Sequence, residues 1–139
     1  MSLNSLVDTL KTYFLDKDVA AVYLFGSYVK SKERHSSDLD LGILHRTNAD
    51  PLKKFENNLE FAIQLEEITG IPVDIVDLEK VNTYILHQMM LNKILVLDKD
   101  PKRRVAFEVA RRKEYFDRMS FYKTYHQQAL KRLERRAAK

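Results

Sequence analysis

The chain has 139 residues, 45% hydrophobic and 32% charged, a balance that fits one globular domain able to bury a core and argues against a disordered chain. It contains no cysteine, which excludes a disulfide framework and thiolate metal sites, and no apolar run reaches the length of a membrane span. The N-terminus carries no basic-then-apolar leader pattern, so a cytoplasmic location is expected.

Residues 3–17 place Leu3, Leu6, Val7, Leu10 and Phe14 at helical spacing, which predicts a helix packed on one face of a sheet. The run Val19 to Phe25, rich in β-branched and aromatic residues, predicts a buried strand that stops at Gly26-Ser27. A polar stretch follows through Ser37, containing Lys30, Lys32, Arg34 and His35; a turn or two of helix from Ser27 and then a loop fits it. Glycine at 26 permits close approach of the backbone to a ligand, and Ser27 is placed to cap that helix, whose free N–H groups would suit a phosphate.

The second predicted strand, Leu39 to Leu44, sets Asp38 and Asp40 on one side and Leu39 and Leu41 on the other. Two carboxylates side by side repel, and a divalent cation that prefers oxygen is the simplest neutralising partner. Asp50 and Pro51 open a helix that carries Leu52, Phe55, Leu59, Ala62, Ile63, Glu66 and Ile68 on an amphipathic face and ends at Gly70, giving a crossover between strands. Ile71 to Leu78 is the third strand. Asp74 interrupts its apolar run, which makes that carboxylate either costly or useful, whereas Asp77 at the strand end suits a cap for the next helix.

Residues 79–92 read as a helix with Val81, Tyr84, Ile85 and Met89 on one stripe, and Lys93 to Asp98 as a short fourth strand. From Lys102 to about Arg136 neither glycine nor proline intervenes, so one or two long helices are expected. This tail holds 13 Lys+Arg against 4 Asp+Glu, whereas residues 1–100 hold 11 against 16. The organisation expected is a catalytic-type domain over 1–100 and a basic-aromatic helical extension over 101–139, whose surplus apolar residues invite a partner. No nucleic-acid-binding motif accompanies its basic residues, so direct nucleic-acid binding is not expected. His35, His45, His87 and His126 show no ligand spacing and do not form a zinc site.

Gly26-Ser27, ten residues, then Asp38-x-Asp40 resembles the signature of the DNA polymerase β-like nucleotidyltransferase superfamily. The resemblance covers roughly residues 1–100, and the small size is similar to its minimal nucleotidyltransferase (MNT) members, antitoxins that act beside HEPN-domain toxins. It implies an α/β (α+β) fold with a small mixed sheet of about four strands, flanking helices and a C-terminal helical tail. It further implies that Asp38, Asp40 and a third carboxylate on the neighbouring strand, matched by Asp74, hold two Mg²⁺ ions, and that Gly26 and Ser27 seat the triphosphate of ATP. Lys30 stands, followed by Ser31, where minimal members commonly show an Arg-Gly pair; it keeps the charge but lacks the bidentate fork. Arg34 falls where members often carry a basic residue facing the nucleotide. The activity implied is transfer of AMP to a tyrosine of a HEPN ribonuclease toxin, with a binding-only antitoxin and a small-molecule, aminoglycoside-type nucleotidyltransferase as the alternatives.

Overall fold

A computed structural model describes residues 2–26 and 38–137. Its elements are α1 (Leu3–Phe14), β1 (Ala21–Phe25), β2 (Leu39–Leu44), α2 (Pro51–Thr69), β3 (Val73–Asp77), a 3₁₀ turn (Leu78–Lys80), α3 (Thr83–Met90), β4 (Ile94–Asp98) and α4 (Pro101–Ala137). The four strands form one sheet in the order β3-β2-β1-β4. β1 runs antiparallel to both β2 and β4, while β2 and β3 are parallel, as the α2 crossover between them requires. Among the described residues no helix is long and apolar enough to cross a membrane.

Every residue of β1 is buried, because helices cover both faces of the sheet. On one face, Leu6, Leu10 and Phe14 of α1 and Phe61 and Leu65 of α2 pack on Val22, Leu24, Leu39, Leu41 and Ile43. On the other, Tyr23, Phe25 and Leu44 meet Leu78, Leu86 and, at the edge, Met89, Met90 and Phe107. Gly42 lies under this second layer. A Cβ there would sit 2.5 Å from Phe25 Cε2 and 2.6 Å from Leu78 Cδ2, so glycine is what lets the 3₁₀ turn close on β2.

The predicted caps are in place. Asp50 accepts from the Lys53 N–H to start α2, and Gly70 ends it at φ 71° in the left-handed region. Asp77 accepts from Glu79 N–H and forms a 2.7 Å ion pair with Lys54 Nζ.

Two helices differ from expectation. The segment 79–92 is broken: the 3₁₀ turn stops at Val81, and Asn82 caps a new helix by accepting from the N–H groups of Tyr84 and Ile85. Its buried face is Thr83 and Leu86, whereas Tyr84 and Ile85 stand in solvent. In α2 the amphipathic face is real but turned outward. Leu52, Phe55, Leu59 and Ile63 are exposed, and the residues that pack are Phe61 and Leu65, with Lys54 and Asn58 half-buried beside them.

α4 is a single helix of 37 residues with none fully buried. Its first half is fastened by Glu108, which accepts from Tyr23 Oη at 2.9 Å, Lys93 Nζ at 2.5 Å and Arg104 at 3.0 Å, while Arg104 also pairs with Asp98 at 2.9 Å. From Ser120 onward every described residue but Ala129 is exposed.

His45, just beyond β2, is 1% exposed and its carbonyl accepts from Arg103 Nε at 2.8 Å. Burial holds its pKa below the ordinary 6.5, with Lys54 adding to the effect and Asp77 opposing it. The unfolded chain therefore takes up a proton that the folded chain refuses. Stability should fall as pH drops through about 6.5 and level off below the depressed folded value. His45→Gln should remove that slope in denaturant melts taken from pH 8 to 5. Gly42→Ala should destabilise by about 1–3 kcal/mol through forced displacement of Phe25 and Leu78, read as a lower urea midpoint at unchanged slope.

Candidate active site

The parallel register of β2 and β3 sets Asp40 directly across from Asp74. Strand alternation turns both toward the face covered by α3 and α4, the same side as Gly42 and Val76. Asp38 lies two residues before Asp40, immediately ahead of β2, and shares that side by the same alternation. Gly26 closes β1 at φ 79°, and a Cβ on it would fall 2.5 Å from Asp40 Oδ2. Only a residue without a side chain lets the β1 turn approach this carboxylate.

Asp40 is half-buried, and its pKa is raised from 3.8, first by burial and then by the charges of Asp74 and Asp38. The charges of Asp74 and Asp38 thus both bear on Asp40. As placed, no set of three or more acidic or histidine side chains among the described residues closes into a metal-ligand cluster. The donor set is nonetheless the right chemistry for a hard divalent cation: carboxylate oxygens, one of them partly withdrawn from water and repelled by its neighbours.

A cavity of about 400 Å³ opens over these groups. Its lining takes Phe25 and Gly26 from the end of β1, Asp40 and Leu41 from β2, Asp74 and Val76 from β3, and Gln88, Met89 and Asn92 from α3 and the turn after it. Its size falls in the range of small-ligand sites. The structure therefore brings together Gly26, Asp40 and Asp74 around one cavity, with Asp38 near enough for its charge to act on Asp40. Ser27, Lys30, Arg34 and His35 lie outside the described residues. Gln88 and Asn92 were not singled out from sequence; the available signal was a pair of amides four residues apart, the spacing that shares a helix face. Met89, on the stripe expected for that helix, packs against the core edge and also lines the cavity.

Residues 4–102 match the family model described as polymerase beta, nucleotidyltransferase, and the chain belongs to that family. Its fold is similar to that of a chain from a toxin–antitoxin crystal structure with AMP-PNP, at 19% identity and a TM-score of 0.65, covering 94% of this chain and 99% of that one. A chain from the structure of a tri-AMPylated Shewanella oneidensis HEPN toxin in complex with an MNT antitoxin is similar at 18% identity and a TM-score of 0.65, with 92% and 98% covered. A minimal nucleotidyltransferase structure matches at 24% identity and a TM-score of 0.54, covering 68% of this chain and 95% of that one. No curated protein matches the chain. At these identities the structures establish a shared fold, reaching into the long terminal helix.

Relief of carboxylate repulsion by a cation has a readout that needs no turnover. Mg²⁺ at ten times its Kd should stabilise the protein by about 1.4 kcal/mol, a Tm rise of roughly 3–6 °C. Asp40→Asn and Asp74→Asn should each shrink that rise in thermal melts with and without the ion.

Proposed function

We propose that this chain is an antitoxin nucleotidyltransferase that transfers AMP from ATP to a tyrosine hydroxyl of a HEPN-type toxin and so neutralises it. The observation that carries the reading is the facing pair Asp40 and Asp74, held in register and lining, with Gly26, a cavity of about 400 Å³, in a chain of the polymerase beta nucleotidyltransferase family. Support for the partner comes from the fold shared with chains of toxin–antitoxin structures, one with AMP-PNP and one with an AMPylated HEPN toxin.

In this reading Asp38, Asp40 and Asp74 hold two Mg²⁺ ions, which when bound supply positive charge to the attacking and departing oxygens. Gly26 and Ser27 are the residues assigned to the phosphates, and Lys30 and Arg34 the basic residues assigned to the same nucleotide, as the family resemblance implies. The acceptor oxygen forms a bond to the α-phosphorus as the bond from that phosphorus to the bridging oxygen breaks, and pyrophosphate leaves with the electron pair. Asp74, exposed on the edge strand, takes the proton that the tyrosine hydroxyl releases. A phosphodiester on the toxin adds bulk and negative charge where RNA would bind.

The distal half of α4, with Phe121, Tyr122, Tyr125, Leu130 and Leu133 exposed among arginines and lysines, is the docking element for the toxin body. Its first half is tied to the sheet through Glu108, so a chain ending at Ser120 keeps those ties.

The test is label transfer from α-labelled ATP with Mg²⁺ and a HEPN toxin as acceptor. Wild type should label the toxin. Asp40→Asn should lose labelling by more than the roughly 10–100-fold that follows loss of a mere outer-shell partner. The chain ending at Ser120 should label poorly and fail to co-purify with the toxin. Full neutralisation of the toxin by Asp40→Asn would instead establish neutralisation by covering alone.

A further inference from the structure

The outward apolar face of α2 has no role in the fold. Leu52, Phe55, Leu59 and Ile63 are each 51–64% exposed, on a helix whose packing is done by another face. Between this helix and β3 runs a groove of about 380 Å³, with Phe55, Leu59 and Ala62 on one side and Val73 and Ile75 on the other. Asp74 borders this groove and also the cavity on the opposite face of the sheet, so the two spaces meet at one carboxylate on one strand.

That strand is an edge. β3 pairs with β2 on one side and ends the sheet on the other among the described residues. Leu39 N–H donates to the Pro72 carbonyl at 2.9 Å, and residues alternate along the strand, so Asp74 and Val76 turn their main chain toward β2. The N–H and C=O groups of Val73 and Ile75 are left facing outward, a ready template for an added strand, while Asp77 turns its carbonyl into the 3₁₀ turn that ends the edge. Charge marks one end of the groove. Lys54 is committed to Asp77 and Glu79, and Glu79 also to Arg103, whereas Lys80 is exposed at this corner and forms no ion pair among the described residues.

We propose that the groove between α2 and β3 seats an extended segment of the acceptor protein, added as a fifth strand on the free edge of β3, with an apolar side chain between Leu59 and Ile75 and the adjoining hydroxyl-bearing side chain turned across the edge to Asp74. Strand alternation dictates the arrangement: neighbouring side chains of the added strand point to opposite faces, one into the groove and the next over the cavity. The acceptor motif is thus an extended segment in which an apolar residue adjoins the modified tyrosine, with an acidic residue toward Lys80. This rests on the nucleotidyltransferase reading for its consequence but not for its test, because segment binding is measured without nucleotide.

The probe is a library of fluorescein-labelled ten-residue peptides centred on tyrosine, with leucine or serine beside it and glutamate or lysine at the end expected near Lys80, read by anisotropy against the full chain. The leucine–glutamate peptides should bind best. Leu59→Arg, at a half-exposed position, should weaken them at least tenfold. Ile75→Pro, which removes one outward N–H from the edge, should do the same. Lys80→Glu should reverse the preference to the lysine-ended peptides, an inversion that general destabilisation does not produce. Val109→Arg on α4 should leave affinity unchanged. Equal affinity of wild type and Leu59→Arg, or no binding by any member of the library, would overturn the proposal. Label transfer to a bound peptide, and its loss in Asp40→Asn, reports separately on the nucleotidyltransferase reading.

Discussion

Two like charges held face to face across a parallel strand pair are the constraint around which this molecule is arranged. Asp40 and Asp74 share a register position, and Asp38 adds to the same field. Left on loops, such groups would separate; on β2 and β3 their spacing is set by backbone hydrogen bonds and cannot relax without unpairing the sheet. The rest of the fold makes that imposition tolerable. α1 and α2 bury one face of the strands, α3 and the start of α4 bury most of the other, and the uncovered remainder is the cavity itself.

The same strand pair manages its other carboxylate differently. Asp77, three residues beyond Asp74, points to the α2 side, where Lys54 and the Glu79 N–H meet it. One strand thus carries an acid whose charge is matched within the chain and another, Asp74, that forms no ion pair among the described residues. The contrast argues for function at 74 more directly than burial does, since Asp74 is the more exposed of the two.

Much of this was legible in the amino-acid order, because the signals were local. Alternation delimited β2, Asp50 and Gly70 bracketed α2, and the position of Asp77 at a strand end marked it as a cap. What escaped was long-range. Periodicity shows that α2 has an apolar face but not whether that face meets the sheet or solvent, since Phe61 and Leu65 sit on a neighbouring stripe of the same wheel. The break after Lys80 depends on Gly42 letting Leu78 settle on β2, a contact 36 positions apart in sequence. The seclusion of His45 arises from Arg103 and Lys54, which belong to different helices. Gln88 and Asn92 acquire meaning only once α3 is laid over the carboxylates.

The projecting half of α4 has a kinetic consequence. Some 17 residues past Ser120 reach about 25 Å beyond the packed part of the helix. A partner docked there, as proposed above, would be tethered rather than merely met, its acceptor searching a small volume around the carboxylates at an effective concentration set by geometry and not by abundance. On that proposal transfer is first order in the complex rather than in the concentration of free partner.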